Sequence, residues 1–93
     1  MFKENKNIRW NDEKNETLKR DRGIGFEIIE SLIEEGKEID IIANPNYPHQ
    51  KIFLFEIDDY LVSVPVVETE TEIFLKTLFR NRKLNKQYKK VML

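Results

Sequence analysis

The spacing of hydrophobic positions changes once along the chain, from about 3.6 in the first third to 2 through the middle. Phe26, Ile29 and Ile33 recur at helical spacing with Ile28 and Leu32 beside them, while Glu27, Glu30 and Glu34 take the opposite side. This predicts a strongly amphipathic helix over 25–35, stopped by Gly36. Upstream, Asn11 suits an N-cap, because Asp12 and Glu13 place negative charge beside unpaired helix N–H groups. Gly23 offers the left-handed stop, so a first helix spans 12–22. Leu18 is its one aliphatic residue, which makes it a surface helix with a narrow contact. Residues 7–10 (NIRW) read as a short strand or an extended entry into the fold.

From residue 39 the segments Ile39–Ala43, Lys51–Asp58, Tyr60–Val67 and Glu72–Phe79 are rich in Ile, Val, Phe and Leu and are separated by turn residues. Asp58–Asp59 suits a tight hairpin and Thr69–Thr71 a second one, so the last three strands form an antiparallel meander. Pro65 lacks an N–H and calls for a sheet edge or a bulge near it. After Arg82, cations surround only Leu84, Tyr88 and Val91, the pattern of a short basic helix. The expected fold is α+β: two N-terminal helices packed on a mainly antiparallel four-stranded sheet, then a short basic C-terminal helix. No repeat or Pro/Gly/Ser-rich linker interrupts the chain, so residues 1–93 read as one domain.

Composition narrows the chemistry. A chain of 93 residues buries only ~60–65% of its unfolded surface, which gives a modest core and excludes a large multi-step enzyme. Without Cys and with one His there is no disulfide framework and no Cys- or His-based metal cluster, so neither metal nor cofactor is expected. The start MFKENKNIRW lacks a signal peptide's apolar core, and no apolar run approaches the ~20 residues that span a bilayer. A cytoplasmic protein with no membrane contact is the expectation. The net charge of −1 conceals a division: residues 1–22 carry +2, residues 23–75 carry −10, and residues 76–93 carry +7 with no acidic side chain. The terminal block of Lys76, Arg80, Arg82, Lys83, Lys86, Lys89 and Lys90, with Phe79 and Tyr88 among the cations, has the sign and composition of a surface that pairs phosphates and stacks bases. A solvated tail has the same composition.

Two segments carry a family likeness. WNDEKNETLKRDRGIGFE resembles the N-terminal signature of BrnT-type toxins of bacterial type II toxin–antitoxin systems, with Trp10, Lys14, Arg20, Gly23, Phe26 and Glu27 on the pattern. Asn11, Leu18 and Arg22 depart from it, standing where that family usually has Asp, Asn and His. FLKTLFRNRKLNKQY is similar to the family's last strand and following basic segment. The resemblance implies a RelE-like fold and a small ribosome-independent endoribonuclease that inhibits growth, held silent in a hetero-oligomer by a DNA-binding antitoxin.

Cleaving RNA by attack of the 2′-OH on the adjacent phosphate needs a proton acceptor, positive charge for the pentacoordinate phosphorane and a proton for the leaving oxygen, with no metal strictly required. Arg grips two phosphate oxygens with its planar fork, and Lys acts as a point charge. Lys76 and Arg82 are therefore the expected catalytic cations, with Arg80, Lys83, Lys86 and Tyr88 binding RNA. Strand alternation places Phe74, Lys76, Leu78 and Arg80 on one face if the last strand runs that far. His49, the lone histidine, sits in the loop NPNYPHQ and reads first as a turn residue; Glu27, Glu30 and Glu34 read as a solvated helix face, and Trp10 and Phe26 as core. Tyr88 also fits an anchor for the last helix. The alternative function is a non-catalytic interaction domain, a decayed toxin that binds only a partner chain.

Overall fold

A computed structural model describes residues 6–92, with side chains as far as Tyr88; Lys89, Lys90 and Val91, named above, have side chains outside the described set. The elements run β1 (Asn7–Trp10), α1 (Asp12–Arg22), α2 (Phe26–Glu34), β2 (Asp40–Ala43), β3 (Lys51–Ile57), β4 (Tyr60–Glu68), β5 (Glu72–Leu75), β6 (Phe79–Arg80) and α3 (Arg82–Met92). The fold is α+β. The sheet departs from the expected four antiparallel strands: among the described residues it has six, in the order β1-β5-β4-β3-β2, with β6 beside β4. β1 joins the edge parallel to β5, with Ile8 opposite Ile73 and Trp10 opposite Leu75. All the other pairings are antiparallel.

Local chemistry accounts for most boundaries. Asn11 caps α1, its side-chain oxygen accepting from Lys14 N at 2.9 Å, and Gly23 at φ 73° closes the helix with its N–H on the Lys19 carbonyl. The β3–β4 hairpin turns on two residues, Asp58 and Asp59, both left-handed at φ 53° and 63°. That conformation matches the right-handed twist of the flanking strands, and Asp tolerates it better than most side chains.

Pro65 explains the sixth strand. It lies in central β4, opposite Ile52 of β3, and on its other side accepts a hydrogen bond from Lys76 N at 2.9 Å. A regular pair would return a bond from residue 65 to the Lys76 carbonyl, but proline has no proton to give. The ladder breaks there. Val66 pairs with Leu75 and Ser63 with Phe79, so three residues of one strand face two of the other, which is a bulge. The strand expected over 72–79 therefore ends at Leu75 and resumes as β6. The extra residue reverses the alternation: Leu78 is buried in the core with Leu75, Lys76 and Phe79 take the opposite face, and Arg80 follows Leu78's side. Lys76 and Arg80 do not share a face.

Each face of the sheet is covered differently. On one, Phe53, Phe55, Val62, Val64, Ile73 and Leu75 pack beneath Leu18, Phe26, Ile29 and Ile33 of α1 and α2. Trp10 closes this layer, its ring 5.8 Å from that of Phe26. Phe26 is fully buried, and truncating such a residue costs ~3–5 kcal/mol. The other face carries two rows, Asp40–Leu54–Ser63 and Ile42–Ile52–Pro65, set by the pairings of β2, β3 and β4. α3 lies over the first row, tied to Ser63 at one end and Asp40 at the other. The second row is left open. Among the described residues, no helix is long and apolar enough to cross a membrane.

Candidate functional site

α3 is held by asparagines. Asn81 caps it, accepting from Leu84 N at 3.0 Å, donates from its amide to Ser63 Oγ at 3.0 Å, and donates its own N–H to the Leu61 carbonyl. Asn85, one turn on, accepts from Leu61 N at 3.0 Å. This clamp turns Asn81, Leu84, Asn85 and Tyr88 toward the sheet and leaves Arg82, Lys83 and Lys86 exposed on the opposite side of the helix. Tyr88 is half-buried and its hydroxyl donates to Asp40 Oδ2 at 3.1 Å, which anchors the helix to β2. Burial pushes its phenol above the ordinary value, and the hydrogen bond and charge of Asp40 push the same way.

Outside the C-terminal block five cations are ion-paired among the described residues, while Lys14, Arg22 and Lys37 are not. Lys6 and Lys51 hold Glu68 at 2.7 and 3.0 Å, Arg9 meets Glu72, Arg20 meets Asp21, and Lys19 lies 3.0 Å from Glu27. Burial raises the Glu68 carboxyl, but the two lysines outweigh it and the net displacement is downward. Lys76, Arg80, Arg82, Lys83 and Lys86 make no ion pair among the described residues, although four of them fall within eight consecutive positions. Arg82 and Lys83 also occupy the first turn of α3, where the helix dipole is positive and acidic side chains are favoured. That placement is unfavourable by ~0.3–1 kcal/mol per charge at an exposed site, and an anion would relieve it.

The open half of the second face is a cleft of about 700 Å3, which Lys76 of these cations reaches. Ile52, Pro65 and Phe79 line it, with Lys76 and Thr77 of the bulge and the loop 44–50. The loop is braced internally: nearly buried Asn44 donates to Gln50 Oε1 at 3.2 Å and accepts from Asn46 N at 3.0 Å, and Gln50 N bonds the Tyr47 carbonyl. Tyr47 is 55% exposed and meets the His49 ring edge-on, centroids 6.5 Å apart. The Lys76 ammonium sits 5.3 Å from the Phe74 ring centroid. The fold thus brings His49 and Lys76 to one cleft across 27 positions of sequence. Arg80, Arg82, Lys83 and Lys86 lie outside its lining.

The N-terminal signature has a structural role. Asn15, 3% exposed in α1, accepts from Phe26 N at 2.7 Å and donates to Glu27 Oε2 at 2.8 Å, capping α2 from a different helix. Gly25, the α2 N-cap, has no side chain because none fits: a Cβ there would lie 2.6 Å from Glu27 Oε1 and 2.8 Å from Asn15 Oδ1. The Lys19 hydrogen bond holds the Glu27 carboxyl below its usual range and raises Lys19 in return. Arg22 donates from Nη1 to the Leu78 carbonyl and ties α1 to the bulge. Trp10, Gly23, Gly25, Phe26 and Glu27 accordingly build the α1–α2 hairpin, while Glu34 stays solvated.

Sequence reasoning missed Asn15, Ser63, Asn81 and Asn85 as organisers. The available signals were Asn15 three residues before the lone aliphatic of α1, and an Asn-x-x-Leu-Asn run opening the basic helix. Among the described residues, no three His, Cys, Asp or Glu side chains are grouped to hold a metal ion. Comparison of the chain with protein-family models, with curated protein sequences and with solved structures found no match.

Proposed function

We propose that this protein is an RNA-cleaving toxin of the type II toxin–antitoxin kind, RelE-like in fold, with a cationic site that runs from the bulge into α3. The observation that carries the reading is the run Lys76–Lys83, whose four cations lack acidic partners among the described residues, with Lys76 in the lining of an open cleft. Lys76 and Arg82 hold the scissile phosphate and stabilise the charge that builds on its oxygens as the 2′-OH attacks phosphorus and the P–O5′ bond breaks. Arg80, Lys83 and Lys86 draw the RNA backbone to the site, and no metal or cofactor takes part. A DNA-binding antitoxin chain silences the protein in the cytoplasm by covering the same cations, so antitoxin and RNA compete.

The resemblance of the first and last segments to BrnT-type toxins supports the assignment, as does the positive charge gathered at the start of α3. The exposed Ile39 and Ile41 beside the open edge of β2 favour a second reading, a non-catalytic domain that binds a partner chain. Induced expression in a bacterial host separates the two. Growth arrest with RNA fragmentation, relieved in well-expressed Lys76→Ala/Arg82→Ala, is expected; undiminished growth and intact RNA would leave only the interaction domain.

A further inference from the structure

We propose that the cleft between loop 44–50 and the bulge at 76–79 is a nucleobase subsite, which takes one unstacked base of a single-stranded RNA. The inference rests on the reading of the protein as acting on RNA, and it assigns a task to side chains which that reading leaves unused. The volume, about 700 Å3, suits a single nucleotide. Among the described residues no carboxylate lines the cleft and Lys76 does, so its charge matches a ligand carrying phosphate. Base recognition in single strands uses aromatic faces for stacking and amide groups for the Watson–Crick edge. Both are present: Tyr47 offers an exposed ring steadied edge-on by His49, and Phe79 of the bulge also lines the cleft. Asn46 and Gln50 bring side-chain amides to the same space. The Gln50 oxygen is taken by Asn44, which orients its NH2 as the free donor. An aliphatic ligand would make no use of this combination of stacking ring, amide and cation.

The subsite also gives the bulge a consequence. Because Pro65 breaks the ladder, Phe79 turns onto the same face as Lys76, and aromatic surface and positive charge adjoin in the cleft.

The test is an NMR titration of the full chain with nucleoside 5′-monophosphates, ribose 5-phosphate and inorganic phosphate. Nucleotides should shift the Asn46 and Gln50 side-chain amides and the Tyr47 ring, and bind about tenfold or more tighter than ribose 5-phosphate. Tyr47→Ala, an exposed substitution, should weaken nucleotide binding about tenfold (~1.4 kcal/mol) while keeping the wild-type spectrum elsewhere. Equal binding of ribose 5-phosphate, shifts confined to the exposed side of α3, or undiminished affinity in Tyr47→Ala would overturn the subsite. RNA cleavage measured alongside keeps the two proposals apart. Cleavage with an unperturbed cleft ends this inference alone, whereas nucleotides bound in the cleft of a protein that cuts no RNA would uphold the subsite and end the nuclease reading.

Discussion

Asn15→Ala should be one of the most damaging single polar substitutions in this chain. The Asn15 side-chain oxygen Oδ1 is the acceptor for Phe26 N at 2.7 Å, in a buried bond, and Phe26 itself has no exposed surface. Alanine leaves that N–H without a partner at a helix start, and an unsatisfied buried donor costs ~1–3 kcal/mol. Loss of an N-cap costs ~1 kcal/mol, but it is the same hydrogen bond and the two figures do not add. The second bond, Asn15 Nδ2 to Glu27 at 2.8 Å, is partly exposed and adds the smaller share. A total of ~2 kcal/mol is expected, which lowers Tm by roughly 8–16 °C for a domain of this size. Thermal and urea unfolding followed by circular dichroism would measure it. Asn15→Asp sharpens the test, because the carboxylate still accepts from Phe26 N but places a second negative oxygen against Glu27. Its loss should match that of alanine at pH 7 and shrink near pH 4, where protonation removes the repulsion. A Tm within about 3 °C of wild type for Asn15→Ala would refute the claim that this residue joins α1 to α2.

Other expectations follow from the same contacts. The carboxyls of Glu27 and Glu68 sit below their ordinary values, so their stabilising contribution is complete above the unfolded-state value of about 4.3 and declines as pH falls through the lower folded values. Urea midpoints should therefore drop on acidification below about pH 4.3, and less so in Glu68→Gln; a midpoint that holds or rises would contradict the assignment. Tyr88→Phe removes the bond to Asp40 and should cost ~0.5–1.5 kcal/mol in urea unfolding while RNA affinity stays within about twofold, and a larger loss of affinity would return Tyr88 to the RNA surface. His49→Gln should leave RNA cleavage within about threefold of wild type, because His49 steadies the Tyr47 ring; a loss of a hundredfold or more, as expected on deleting an acid–base group, would make His49 catalytic.

Elements whose limits depend on nearby residues were legible in the sequence. Asn11 and Gly23 mark α1, the two aspartates mark the β3–β4 turn, and the 3.6-residue spacing of Phe26, Ile29 and Ile33 marks the buried side of α2. Features that depend on a neighbour far along the chain were not. Pro65 could be tied to a bulge, but that the break falls opposite Lys76, and so separates Lys76 from Arg80, depends on a register no single segment contains. The parallel docking of β1 on β5 joins residues about 65 positions apart. Asn15 looks like any polar helix residue until α2 folds back onto it. The cations of the candidate site were visible as a charge block, whereas the cleft beside them appears only when the loop 44–50 meets the bulge.

The central claim, that the cations running from the bulge into α3 act on RNA, is most directly tested by purified protein and labelled single-stranded RNA in the presence of a chelator. The account predicts cleavage that leaves 2′,3′-cyclic phosphate ends, reduced at least a hundredfold in Lys76→Ala/Arg82→Ala. Unfolding of that variant should stay within about 1 kcal/mol of wild type, since both side chains are exposed and make no ion pair among the described residues. Full cleavage by the double variant, or intact RNA with the wild-type protein, would contradict it.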